Sequence, residues 1–280
     1  MAGGIAVIAA GPALASPLVA CIAIGAFAPL IGTFLVQKRL SLIGDGVGHV
    51  AFAGVGAGLL AGIWPVWTAL VFAVVGAVGV EVLRARRKAS GDLALALFFY
   101  TGLALGAVFA SRTGNLDFET LPYLFGNPYT ATHAEVLTTA LLGAVVAAGV
   151  IALHRVLFAI VTDEDWARVA GLPVDRINAV MAAVTAAIVV AGMRIIGILL
   201  IAALMVLPVA SAQLLARSFR GTLRAAVAIG AVSAGVGLLL GRAFDVAPGG
   251  AIVLVAAGVF TVTAIAKRSI PRSLAPEVDR

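Results

Sequence analysis

Two ionisable residues stand out in a chain that is otherwise apolar almost throughout: Asp45 and His49, within Ser41-Leu42-Ile43-Gly44-Asp45-Gly46-Val47-Gly48-His49. On a helix they are i, i+4 neighbours and share one face. A carboxylate beside an imidazole suits Zn²⁺ and also Mn²⁺, and the lack of thiolate ligands argues against a copper(I) route. An ionisable residue inside a membrane span costs roughly 2.5–3.5 kcal/mol on insertion scales, so two on one stripe suggest a polar pathway or ligand site. The bland alternative is a helix-packing pair, hydrogen-bonded to each other or to a neighbouring chain, and spacing alone leaves both readings open. One Asp and one His supply two ligands; a homodimer with its axis beside this helix would offer four. A transport site should hold its ion loosely, since a closed structural shell would prevent release.

The elements that position the pair follow from composition. With 280 residues, 62% hydrophobic content, 11% charged residues and a mean hydropathy of +1.14, the chain has too little polar surface to wrap a soluble core. It reads as an all-α, polytopic transmembrane bundle of eight or nine helices forming one domain over residues 1–280. No Lys or Arg precedes Lys38, so the start lacks the basic region of a secretory signal and is expected to belong to the mature fold. Charge-free runs mark the spans; Val50–Val80, too long for one helix, is broken at Gly62-Ile63-Trp64-Pro65 and divides into helices of roughly 42–62 and 66–83. The weak point of the nine-span count is Gly192-Met193-Arg194, very short for an external turn, so that one neighbouring span could be partial or re-entrant.

Nine spans with the N-terminus outside and the C-terminus cytoplasmic place most of the basic residues inside. These are Lys38 and Arg39; Arg84, Arg86, Arg87 and Lys88; Arg155, Arg168 and Arg176; Arg217, Arg220 and Arg224; and Lys267, Arg268, Arg272 and Arg280. Only Arg112, Arg194 and Arg242 fall outside. That split follows the positive-inside rule and explains a pI near 10.2 without any nucleic acid. Trp64 and Trp67 then lie at the outer interface. Cys21 has no intrachain partner and reads as a packed core thiol.

Gly44-x-x-x-Gly48, Gly54-x-x-x-Gly58 and Gly58-x-x-x-Gly62 predict that the helix carrying Asp45 and His49 is an interior one, because such spacing lets backbones approach closely. Thr113–His133 is the longest external polar stretch; Asp117, Glu119 and His133 could guide a cation inward, although a solvated acidic loop is favoured. Glu81, Asp92 and Asp245 read as interface or capping charges and His154 as structural. Pro208 is expected to kink its helix, with a gate there as a hypothesis.

A second polar element is Thr162-Asp163-Glu164-Asp165-Trp166-Ala167-Arg168-Val169-Ala170-Gly171-Leu172-Pro173. Thr162 with Asp165 resembles a capping box, acidic residues fill the first turn, and Gly171 with Pro173 closes the helix. The product is a helix of about two turns over 163–170, too short and polar to span. It is either a loop helix on the membrane surface or a docking element for a cytoplasmic partner.

The order of motifs resembles the membrane subunit of bacterial ABC importers for zinc, manganese and related divalent metals. The matching pieces are Leu40–Asp45 with His49; Ser90-Gly91-Asp92; Tyr123-Leu124-Phe125-Gly126; Asp163–Pro173; Gly197-Ile198-Leu199-Leu200 through Leu207-Pro208 and Ala212; and Pro248-Gly249-Gly250-Ala251. They span roughly residues 20–265. The resemblance implies a permease in a bacterial cytoplasmic membrane that works as a pair with two copies of a separate ATPase and receives metal from an extracytoplasmic binding protein. It implies that Asp45 and His49 line the route of the transported ion, Zn²⁺ or Mn²⁺ with Fe²⁺ as a further candidate, and that no cofactor is permanently bound. It also implies that Asp163, Glu164, Asp165, Trp166, Arg168 and Gly171 belong to a coupling helix, similar to that of cobalamin and siderophore importers. Gly48 and Val209-Ala210-Ser211 depart from the family's usual residues but touch no candidate ligand.

The energy source lies elsewhere on this reading. The chain has no Gly-x-x-x-x-Gly-Lys-Ser/Thr sequence to cradle nucleotide phosphates and no His-Glu-x-x-His for an intramembrane zinc protease, so it is expected not to be an enzyme. The competing class is an ion- or proton-coupled secondary carrier, in which Asp45 and His49 would titrate during exchange.

Overall fold

In the computed structural model, residues 12–85, 91–112 and 121–269 are described, and the described residues contain helices and no strand. Long apolar helices form α1 (Pro12–Gln37), α2 (Ile43–Ala61), α3 (Pro65–Ala85) and α4 (Gly91–Arg112). A one-turn helix α5 (Leu121–Phe125) and a 3₁₀ turn at Pro128–Thr130 precede α6 (His133–Thr162). The short polar segment after it forms α7 (Glu164–Val169), followed by α8 (Val174–Met193), α9 (Ile198–Leu215), α10 (Phe219–Ala243) and α11 (Pro248–Ser269). Nine of these are long and apolar enough to cross a membrane. The break at Gly62–Trp64 falls where the sequence places it, with Gly62 left-handed at φ 67° as the C-cap of α2 rather than a helical position.

The short junction after α8 leaves both neighbouring helices whole, 20 residues for α8 and 18 for α9. Residues 194–197 make the turn, and Gly197 adopts φ 101°, a region closed to side chains. A Cβ on Gly197 would collide with the backbone of Phe125, so the segment after α5 lies directly on this turn. Asn127 N–H donates to the Arg194 carbonyl at 2.9 Å, and Arg194 pairs with Glu135 at 2.6 Å. The described part of the Thr113–His133 segment is thus packed structure, with Tyr123 buried. Asp117 and Glu119 lie outside the described residues, and His133 is the first residue of α6.

The core is organised around two helices. α2 packs against α3, α4, α8 and α9, while α1 packs against α6, α9 and α10, and α11 closes over α9 and α10. Interior placement of α2 follows from its glycines: a Cβ on Gly54 would sit 2.6 Å from the Ala69 Cα, and one on Gly48 2.7 Å from an Ile198 methyl. Cys21 is fully buried, and Trp64 and Trp67 are exposed at the opposite end from α7. Pro208 lies inside α9, which continues through it although the ring deletes the bond its N–H would make to the preceding turn.

Candidate metal route and docking helix

Asp45 lies in the first turn of α2 and His49 one turn on. At about 100° per residue, both project between two packed edges of the helix. On one side Gly44 and Gly48 meet Ala202 and Ile198 of α9; on the other Gly46 meets Leu95 of α4. Asp45 is half-buried, whereas His49 is 8% exposed and set edge-on to Phe99, ring centroids 4.3 Å apart. The Nδ1 atom of His49 is buried with no hydrogen-bond partner among the described residues. No bond joins the two side chains, which removes the packing pair in which they bond to each other. A buried polar nitrogen without a partner costs free energy, of order 1–3 kcal/mol, and needs an explanation. No group of three or more His, Cys, Asp or Glu side chains converges among the described residues.

The candidate docking helix, α7, begins one residue later than the Thr162 capping box predicts. Thr162 is the last residue of α6, its hydroxyl turned back onto the Phe158 carbonyl, and Asp163 is the N-cap, accepting from Trp166 N–H at 2.9 Å. A continuous α6 claims Thr162 first, so the cap falls to the next acceptor. Among the described residues a capping box forms instead at the start of α6, between Thr132 and Glu135. α7 is shorter than two turns and ends in a Schellman motif, Leu172 N–H to the Ala167 carbonyl and Gly171 N–H to that of Arg168. Gly171 takes φ 81° to make it.

One face of α7 is tied down and the other is bare. Glu164 accepts from Lys38 at 3.0 Å, Arg84 at 3.4 Å and Arg168 at 3.0 Å, and Asn178 lies 3.5 Å away. It therefore connects α7 to the ends of α1, α3 and α8. The cluster extends through Glu81, buried and paired with Arg84 at 2.7 Å, through Lys38 Nζ donating to Asn178 Oδ1 at 2.6 Å, and through Arg168 to Asp175 at 2.7 Å. Burial raises the Glu164 carboxyl, but the hydrogen bonds from Arg168 and Lys38, with the charges of Lys38 and Arg84, outweigh it and hold the group at about 2. Burial lowers the Lys38 ammonium, opposed by Glu164, and the bonds to Asp175 and Glu164 hold Arg168 above its ordinary value. On the bare face, Asp163 and Asp165 are solvent-exposed, Trp166 is 60% exposed and Val169 88%. An exposed indole beside an exposed valine, flanked by carboxylates, has the composition of an anchor for another protein.

Sequence reasoning singled out Asp163–Gly171 but took Glu81 as an interface or capping charge and Lys38 and Arg84 only as charges that set orientation, and gave Asn178 no role. The partner that ties them together, Glu164, lies far along the chain from Lys38 and Arg84, and the available signals were the i, i+3 spacing of Glu81 and Arg84 and charge placed at helix ends.

The chain matches the model of the ABC 3 transport family over residues 12–267. It belongs to that family. Among its relatives, the protein named "Probable metal transport system membrane protein" of Treponema pallidum is 34% identical over 85% of this chain and 89% of that protein. The manganese transport system membrane protein MntC of Halalkalibacterium halodurans is 27% identical over 89% and 85%. A chain of PsaBC from Streptococcus pneumoniae, solved in complex with Fab, superposes with a TM-score of 0.82 at 26% identity, covering 94% of each chain. As a member of the ABC 3 family the chain is a membrane-spanning transport subunit and not itself an enzyme, and the arrangement of nine long helices is that of such permeases.

Proposed function

We propose that this chain is the permease of an ATP-driven importer of a divalent metal ion, with Mn²⁺ first and Zn²⁺ and Fe²⁺ as alternatives. The observation that carries the reading is the buried, unpartnered Nδ1 of His49 one turn from Asp45. A nitrogen with nothing to bond in the apo chain is a ligand available to a passing ion. Carboxylate plus imidazole suits all three metals, so donor chemistry does not rank them; the names of the relatives favour manganese. Two protein ligands leave water on the ion, as release requires, and a second copy of the chain would bring a second pair.

Trp166 and Val169 of α7 receive a cytoplasmic ATPase, and Glu164 passes its displacement to α1, α3 and α8. Lys38 closes the short path: it follows the last residue of α1, and Asp45 lies just past the turn that opens α2. Movement of α7 therefore reaches the metal pair through residues 38–45. Lys38, Arg84 and α7 share one end of the bundle, which the positive-inside rule assigns to the cytoplasm. The N-terminus is then outside, in a bacterial inner membrane, and metal arrives from an extracytoplasmic binding protein. A proton-coupled carrier has less support, since it gives α7 no task.

The test is uptake of labelled Mn²⁺ and Zn²⁺ into vesicles carrying the permease, its ATPase and its binding protein, for wild type, Asp45→Ala and His49→Ala. Uptake that needs ATP and is abolished in both variants, with the complex assembled, is expected. Unchanged uptake in both would reduce the pair to packing, and uptake that persists without the ATPase would transfer the protein to the carrier class.

A further inference from the structure

A cavity of about 700 Å³ opens between α6 and α10 at the α7 end of the bundle, away from the α2 face that carries Asp45 and His49. Its inner wall is apolar, made by Val150, Ile151, Phe158 and Leu223, with Phe219 stacked edge-on to Phe158 at 5.1 Å. Its rim is cationic: Arg155 from α6, and Arg220 and Arg224 from α10. His154 donates through Nδ1 to the Ile151 carbonyl at 2.8 Å, so its Nε2 accepts from Arg220 at 3.2 Å and the ring orients that guanidinium.

These three arginines differ from the others that link helices. Arg84, Arg168 and Arg194 each meet a carboxylate, whereas Arg155, Arg220 and Arg224 meet none among the described residues. The first turn of α10, where acidic residues are favoured, contains none either. Three positive charges around one opening call for an anion. Depth and surroundings say which kind. α6 has 30 residues where about 20 cross the hydrocarbon, so Arg155, in its last third, falls at headgroup level on that side. Ile151, one turn deeper, is 72% exposed and faces acyl chains.

We propose that this cavity binds an anionic diacyl phospholipid, its phosphate held by Arg155, Arg220 and Arg224 and an acyl chain laid along Val150, Ile151 and Leu223. Guanidinium forks match phosphate oxygens bidentately, and basic pockets between membrane helices suit anionic headgroups. A free phosphate would answer the charge but leave the apolar wall uncovered. The inference rests only on the chain spanning a membrane, whichever metal it carries.

The experiment places the purified full chain in phosphatidylcholine nanodiscs with a minor fraction of spin-labelled phosphatidylglycerol or, in parallel, spin-labelled phosphatidylcholine, and reads the motionally restricted lipid by EPR. Wild type should restrict phosphatidylglycerol selectively. At roughly fivefold per basic residue, Arg155→Gln should weaken that preference about fivefold, and Arg155→Gln/Arg220→Gln/Arg224→Gln on the order of a hundredfold. Lys267→Gln/Arg268→Gln, at the exposed end of α11, should leave it unchanged. Equal restriction of the two lipids by wild type overturns the proposal without reference to any variant. So does full displacement of the lipid signal by millimolar inorganic phosphate, which would identify a free-anion site, and so does a preference that survives the triple substitution.

Discussion

Replacing Glu164 by Gln removes one negative charge from a cluster holding three cations, and the structure says which of them suffers. Arg84 keeps Glu81 at 2.7 Å and Arg168 keeps Asp175 at 2.7 Å. Lys38, with its side chain only 12% exposed, is left with the neutral Asn178 carbonyl. Folding holds the Glu164 carboxyl at about 2 against an ordinary 4.5, a gap worth about 3 kcal/mol in full. A quarter of that side chain remains in water, and screening brings the expected loss to about 1–2 kcal/mol. The pH dependence has a definite sign: a depressed carboxyl contributes stability that is complete above about 4.5 and is lost as pH falls through about 2. Wild type should therefore lose this contribution between those values, and Glu164→Gln should lack that part of the acid sensitivity. Unfolding by detergent titration of wild type, Glu164→Gln, Lys38→Met and the double variant measures it. Because the ion pair is shared, the two single losses should exceed the double loss by about 1 kcal/mol. Additivity within about 0.5 kcal/mol would refute the argument that Glu164 is the node between α7 and α1.

Two further outcomes follow from packing. Gly54→Ala drives a methyl into the Ala69 backbone, which has no flexible end to yield, and should cost about 1–3 kcal/mol in the same titration; Gly149→Ala, with nothing within 4 Å, should be neutral or stabilising by up to about 1 kcal/mol. Trp166→Ala should leave unfolding unchanged, because the indole is 60% exposed, while weakening co-purification of the ATPase on the order of tenfold or more.

What the sequence made legible was local. Hydropathy and the Gly62–Pro65 break gave the nine long helices because a span is defined by its own residues against lipid. Asp45 and His49 were legible because an i, i+4 pair in an apolar segment is visible in nine letters. The start of α7 was misplaced by one residue for an equally local reason: Thr162 and Asp163 are both good caps, and only the length of α6 decides between them.

The network behind α7 was not legible, and the reason is geometric. Lys38, Arg84, Glu164 and Asn178 come from four separate helix ends, and nothing in their own neighbourhoods distinguishes a cation that will find Glu164 from one, such as Arg220, that finds no carboxylate among the described residues. Positive-inside counting treats all of them alike, as charges that set orientation. Their separation into two populations appears only once the helices are assembled. One group is neutralised by Glu81, Glu164 and Asp175 and fixes α7 to the bundle; the other stays cationic around the α6–α10 cavity. A basic residue at the end of a membrane helix thus orients the chain whatever its surroundings, and the carboxylates brought to it by tertiary packing decide whether it also joins helices or attracts an external anion.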